Sequence, residues 1–457
     1  MLETLSALGD HFVVVGDQVM TGEGLRPAAI QIQHGKIVAV GAPGLATHLP
    51  QLDVGSLTVL PGVVDTHVHV NEPGRTEWEG FSTATRAAAA GGITTLVDMP
   101  LNSIPVTTSL LAYHQKVRAL QGSCQVDVGL WGGVVPGNAA ELGPMIDAGV
   151  LGFKCFLCPS GIDDFPPVSE GDLRRVMPIL AARGVPLLVH AELCPAGTPD
   201  QDPSVQSRRY VDYLQSRPSS WEDEAIRLMI RLCRETGCRV HIVHLSSADA
   251  LVDIAEAKAE GLPFTVETCP HYLHFEAEEI PDGATWFKCA PPIRPRENRA
   301  RLWEGLRLGI IDFVVCDHSP CTPGLKLLES GDFLNAWGGI ASLQLSPSVV
   351  WSQAEAQGFD LTTFVDWTSV HTARFAGLFP RKGILAVGSD ADLVVMDPHE
   401  VWTVQGDALF HRHKLSPYVG RQLRGRVITT FLRGRPVFHR GQPLGEPGGQ
   451  HLTPLSS

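Results

Sequence analysis

The sequence predicts an α/β protein, a (β/α)8 TIM-type barrel with a small β-sandwich domain formed from both chain ends. Three observations carry this. Between about Leu57 and Gly377, short β-branched runs alternate with longer amphipathic stretches, the pattern of parallel βα units. Eight such units can be counted, enough to close a barrel. Both flanks carry short strands broken by glycine-bearing turns, and a small sandwich shared by the two ends accounts for them economically.

Taken in order, the first flank is FVVVGDQVMTGEGLRPAAIQIQHGKIVAVGA, residues 12–42. The eight barrel strands are expected within LTVLPGVVDTHVHV, ITTLVDMP, QVDVGLWGGVV, LGFKCFL, PLLVHAE, RVHIVHLS, FTVETCPHYL and IDFVVCDHSP. Between them, stretches such as TEWEGFSTATRAAAA, SWEDEAIRLMIRLCRET and SADALVDIAEAKAEG place apolar residues three and four apart, as helices packed on a barrel do. The segment from Glu192 to Pro218 lacks a strong period and reads as a long loop over the barrel mouth. Strand runs return from Ala391 to Phe438, and a polar, Gly/Pro-rich tail follows Gln442. The expected division is 1–56 for the first part of the sandwich, 57–378 for a metal-dependent barrel, and 379–457 for the second part and tail.

Length and composition agree with this plan. A barrel of roughly 300 residues plus an accessory domain fits a chain of 457 residues, and 44% hydrophobic with 19% charged residues is ordinary for a globular protein. The net charge of −13 and the lack of Lys/Arg runs argue against nucleic acid or anionic membrane surfaces as partners. Ten cysteines follow no repeated C-x-x-C framework, and Cys155 and Cys316 sit in apolar runs, so buried reduced thiols are expected. The first residues, MLETLSALGDHFVVVG, are acidic where a signal peptide is basic, and no apolar run reaches a membrane span, so a cytoplasmic enzyme is expected.

The candidate chemistry lies at strand ends. His67 and His69 are two apart on one strand, so both imidazoles project from one face and can reach one ion. A bare H-x-H is as readily a solvated or core pair, and His411 and His413 form a second one where no metal is expected. The position of the first pair, closing a barrel strand after a Pro-Gly turn and Asp65, favours the functional reading. Lys154, His190, His244 and Asp317 each end a later apolar run, and burying an ionisable group there is costly unless it is paired or bound to metal. Each alone reads more readily as a satisfied core residue; six gathered at one barrel mouth point to a site.

Lysine is the unusual member, because an ammonium repels cations. If Lys154 is desolvated, its neutral amine can capture carbon dioxide and become a carbamate, N6-carboxylysine, able to bridge two ions. The competing reading is a lysine paired with Asp65 or another barrel carboxylate.

The strings DTHVHVNEPGRTEWEGF, DMPLNS, FKCF, VHAE, HLSS, ETCPHYL, KCAPPIR, DHSP, AWGGIA and RHKLSPYVGR together resemble the cyclic amidohydrolases, the group that includes hydantoinases and dihydroorotases. The resemblance runs through essentially the whole chain and implies a homotetrameric hydrolase. It implies that His67 and His69 serve one divalent ion, that His190 and His244 serve the other, that Lys154 bridges them as the carbamate, and that Asp317 is both ligand and general base. Two ions sharing a hydroxide lower its pKa while one polarises the scissile carbonyl. Nitrogen and oxygen ligands suit Zn2+, and Co2+, Mn2+ or Fe2+ fit the same set.

Within that group the strings are most similar to members that open the hydantoin ring of allantoin, a step of purine degradation. A dihydroorotase has an arginine two places after the second histidine, to read a carboxylate; here Asn71 stands there, apt for a neutral ureido arm. Arg75 nearby could restore a positive site or simply make a salt bridge. Asn102 is a second candidate for the ureido group, and Ala290 and Ser319 match loops that hold the substrate ring; ordinary turn capping is the alternative for each. Hydantoinases place a tyrosine oxyanion donor five residues past the lysine, where this chain has Pro159. His271 reads as structural or as a support behind the metal ligands, since the metal positions are already filled, Trp337 as a loop residue over the site or simple packing, and Cys155, Cys289 and Cys316 as buried thiols. The alternatives are a hydantoinase, dihydropyrimidinase or dihydroorotase activity and, from another class, a non-catalytic paralogue acting in assembly; the latter would have lost ligands.

Overall fold

Apolar runs with a single polar end become eight short parallel strands in the computed structural model, which describes residues 5, 8–194 and 204–455. They are β1 (Val63–Val68), β2 (Ile93–Asp98), β3 (Asp127–Leu130, resuming at Gly132–Gly133), β4 (Phe153–Phe156), β5 (Leu187–His190), β6 (Val240–Ile242), β7 (Phe264–Thr268) and β8 (Phe313–Val314). β1 to β3 pair in one run and β3 to β8 in another, the two joined across Trp131. A parallel bridge between Val68 and His318 closes the ring. Nearly every strand residue is buried, as expected for parallel strands covered on both faces.

Helices coat the outside. In Ser219–Thr236 the buried Ala225, Ile226, Met229, Ile230 and Cys233 recur at helical spacing, and the helix stops at Gly237, whose φ of 67° suits glycine. The run TEWEGFSTATRAAAA is helical only from Phe81 to Ala90. Its first residues stay in a turn, where the buried Glu79 carboxylate accepts from the Arg412 backbone amide and pairs with His318.

The flanking strands form one nine-stranded sheet, joined where Thr58–Pro61 pairs antiparallel with Leu393–Thr403. Phe12 and Phe431 lie on strands separated by two others, yet their ring centroids are 6.5 Å apart. Three strand spacings in a flat sheet would be about 14 Å, so the sheet curls over and encloses Phe12, Val14, Ile30, Ile32, Leu393 and Phe431 as a separate core. This sheet is locked to the barrel at the strand-start end. There Lys382, fully buried, donates to Asp127 at 2.6 Å and Asp392 at 2.6 Å and lies 3.0 Å from Asp390.

Two stretches differ from expectation. Within the anticipated loop from Glu192 to Pro218, residues 195–203 lie outside the described residues, but Tyr210–Ser216 is a helix. Its Tyr210 and Tyr213 are buried and donate to the carbonyls of Ile293 and Cys289 at 2.9 and 2.6 Å; these distant partners, not a local period, fix it. The tail after Gln442 is pinned as well: Leu452 is buried and the tail brackets Val128 of β3 with backbone hydrogen bonds. No helix among the described residues is long and apolar enough to cross a membrane.

Candidate metal centre

β1 delivers His67 and then, past its last residue, His69 to the mouth of the barrel. Asp65 sets this stretch: its two carboxylate oxygens accept from the backbone amides of His67 and Cys316, each at 3.1 Å, tying β1 to the chain after β8. Nε2 of His67 and of His69 lie 3.3 and 3.6 Å from Oδ1 of Asp317, and the three donor atoms fall within 4.8 Å of one another. His67 Nδ1 is 2.5 Å from Glu267 Oε1. When Nδ1–H donates there, the Nε2 lone pair faces Asp317, and that nitrogen is buried without a protein hydrogen-bond partner.

The second pair is built the same way. His190 Nε2 lies 2.7 Å from Glu192, whose other partner is the Arg217 guanidinium, so His190 Nδ1 is left to face Nε2 of His244 at 3.0 Å. Two nitrogens on one tetrahedral ion stand about 3.3 Å apart, so this spacing fits a shared cation. The rings of His67 and His244 are 5.3 Å apart, which joins the two sets.

Lys154 lies at the centre of them. Burial lowers the pKa of His67, His69, His190 and His244, and the charge of Lys154 adds to the lowering in all four. Nζ sits 5.1 Å from the centroid of Phe156, the ring that also stacks on His190. Among the described residues Lys154 forms no ion pair, and Asp65 is engaged with backbone amides instead. Burial drives Lys154 down toward the neutral amine and Asp317 up, each opposed by the other's charge. Neutral imidazoles, a desolvated amine and an orphaned His67 nitrogen are the donor set that divalent ions require.

Four nominated residues share a backbone feature. Asn71 and Asn102 have φ of 66°, His244 of 42° and Asp317 of 43°; such conformations are uncommon outside glycine and concentrate at functional sites. The Oδ1 atoms of both asparagines are buried without protein partners, while Asn71 Nδ2 donates to the Pro320 carbonyl at 3.2 Å. Ser319 Oγ donates to the Asp317 carbonyl, and Ala290 sits against Gly338 of the loop that carries Trp337. Arg75 is used locally: it donates to the Asn102 carbonyl and lies 5.0 Å over Trp78, whose ring meets Trp337 edge-on. Pro159 is exposed. Cys155, Cys289 and Cys316 are buried, and burial raises all three thiols. His411 and His413 bond to the backbone groups of Gln344 and Glu77.

Sequence reasoning missed Glu267 and Glu192. Both were accessible to the rule that selected the others, since each is an ionisable residue on or just after a buried barrel strand, and VHAE puts Glu192 two places after His190.

A model of the amidohydrolase family matches residues 58–437. The chain belongs to the amidohydrolase family. Among members of this amidohydrolase family, the allantoinase of Streptomyces avermitilis is 48% identical over 453 residues, covering 97% of this chain and 98% of that one. The allantoinase of Arabidopsis thaliana is 44% identical, covering 96% and 90%. Of solved structures, the L-hydantoinase of Arthrobacter aurescens superposes with a TM-score of 0.89 at 32% identity, covering 97% of this chain and 99% of that one. This amidohydrolase is therefore an enzyme with the barrel its sequence predicts, and its family carries a binuclear metal centre.

Proposed function

We propose that this enzyme hydrolyses allantoin to allantoate, opening the hydantoin ring at a two-metal site held by His67, His69, Lys154, His190, His244 and Asp317. The observation that supports it best is the pair of histidine sets, each with one member oriented by its own buried carboxylate, around a desolvated lysine. The near full-length likeness to allantoinases supports the substrate. Zn2+ suits the nitrogen-rich donors, and Co2+, Mn2+ or Fe2+ would be accepted by them.

His67 and His69 would hold one ion and His190 and His244 the other. The neutral Lys154 amine would add to carbon dioxide, forming an N–C bond and releasing one proton, and the carbamate would offer its oxygens as ligands to the ions. When bound, the ions supply a water-derived nucleophile at neutral pH and polarise the ring carbonyl. Asp317 takes the proton of the attacking water and delivers it to the departing ring nitrogen. The amide bond between that nitrogen and the carbonyl next to the ureido-bearing carbon breaks, leaving a carboxylate on one side and a second ureido group on the other. Asn71 and Asn102 would bind the ureido arm, and Ser319 and Ala290 the ring. Arg217 and Glu192 hold His190, and Glu267 holds His67, so that their lone pairs are fixed before substrate arrives.

The same reading takes residues 57–378 as the metal-dependent barrel, with 1–56 and 379–457 as the sandwich and tail. It also carries a homotetramer in the cytoplasm. The test is turnover of racemic allantoin by metal-loaded protein, compared with hydantoin and dihydroorotate. Allantoin should be preferred; a preference for either of the others would favour a hydantoinase or dihydroorotase activity instead.

A further inference from the structure

His271 follows β7 in the short helix Pro270–His274. It has no exposed surface, and neither ring nitrogen has a hydrogen-bond partner among the described residues. Two other fully buried histidines are satisfied on both sides: His241 is bonded through both nitrogens to Thr265 and Glu267, and His318 to Glu79 and the backbone of Ser342. A buried imidazole with two idle nitrogens is an expensive way to fill space, because each forgoes the hydrogen bond it had in water.

Its surroundings say what would use them. One ring nitrogen lies within 4.8 Å of both the Asp317 carboxylate and the Cys269 thiol, yet it forms no hydrogen bond with Asp317. A single atom about 2.8 Å from each group spans that distance. Burial holds the imidazole neutral, with a pKa of about 3, and raises the Cys269 thiol. The ring therefore offers one donor and one acceptor without a charge, whereas the thiol is no anionic ligand.

We infer that His271 is a substrate-binding residue that hydrogen-bonds the ring nitrogen released on hydrolysis, across from Asp317. This rests on the cyclic-amide reading above. As the C–N bond breaks, that nitrogen becomes pyramidal and takes the Asp317 proton, and an imidazole beside it fixes the direction from which the proton arrives. The contact is to the ring and not to the ureido arm, so it serves any hydantoin.

The test compares wild type, His271→Gln and His271→Leu, using kcat and KM for allantoin and for unsubstituted hydantoin, with metal content by mass spectrometry and thermal unfolding beside them. Leucine fills the space without polar atoms; glutamine restores a donor and an acceptor. We expect His271→Leu to lose roughly 10- to 100-fold in kcat on both substrates at unchanged metal content, and His271→Gln to recover part of it. Unchanged kinetics in a folded His271→Leu would overturn the inference, as would a loss that tracks missing metal, which would make the residue a ligand. A loss confined to allantoin would also overturn it, by placing the contact on the ureido arm. Should the wild type turn over neither cyclic amide, the underlying activity fails first and this contact with it; an active wild type with indifferent variants refutes the contact alone.

Discussion

Nδ1 of His67 and Oε1 of Glu267 approach to 2.5 Å in a wholly buried pair. The same carboxylate reaches His241 Nε2 at 3.0 Å, so one side chain on β7 holds a histidine from β1 and another from β6. Glu267→Gln keeps the shape but ends the charge-assisted hold on His67. Metal affinity should fall about 10- to 100-fold, measured by competition with a chromophoric chelator.

Asn71 gives a test of substrate choice that does not disturb its backbone. Glycine accepts a φ of 66° readily, so Asn71→Gly removes the amide without strain. The kcat/KM for allantoin should drop by roughly 10-fold or more, which is about 1.4 kcal/mol of transition-state binding. Hydantoin, which lacks the ureido arm, should change much less. Steady-state assays on the two substrates decide it.

Much of this was legible in the sequence because barrel strands are short and buried, which makes a polar residue at a strand end conspicuous. His67, His190, His244 and Asp317 stood out for that reason. What the residues grip could not be read: Glu267 and His67 are 200 positions apart, and their pairing depends on closure of the ring, which leaves only β8 between β7 and β1. The Tyr210–Ser216 helix and the tail strapped along β3 were hidden likewise, since both are fixed by backbone partners distant in sequence. The left-handed backbone shared by Asn71, Asn102, His244 and Asp317 leaves no mark in residue type beyond the two asparagines, which tolerate it best.

Glu222 supplies a pH signature away from the metal ligands. Burial raises its carboxyl from 4.5 to about 8, and Oε2 has no protein hydrogen-bond partner. The folded state therefore holds a proton that the unfolded chain has released. This stabilisation is complete below pH 4.5 and is lost as pH rises toward 8. Glu222→Gln should flatten that fall and be the more stable protein at pH 8 by a margin on the order of a few kcal/mol. Denaturant unfolding at pH 5, 6.5 and 8 checks the slope.

Lys382 is predicted to be structural. It reaches Asp127, Asp390 and Asp392 at once, and with Arg433 on Asp127 and Arg381 and Lys36 on Asp390 the carboxylates are balanced by the chain itself. Lys382→Met strands buried negative charge where barrel meets terminal sheet and should cost about 3–5 kcal/mol or more. A clear drop in Tm with metal content per folded molecule unchanged is the expected result.

The claim on which the enzyme's chemistry rests is that six side chains far apart in sequence hold two cations. Anomalous diffraction from metal-loaded crystals, collected on both sides of the zinc edge, measures it directly. Two peaks are predicted, one among His67, His69 and Asp317 and one at His190 and His244, with carboxylate density on Lys154 Nζ between them. Peaks elsewhere, or a bare amine on Lys154 with metal bound, would contradict it.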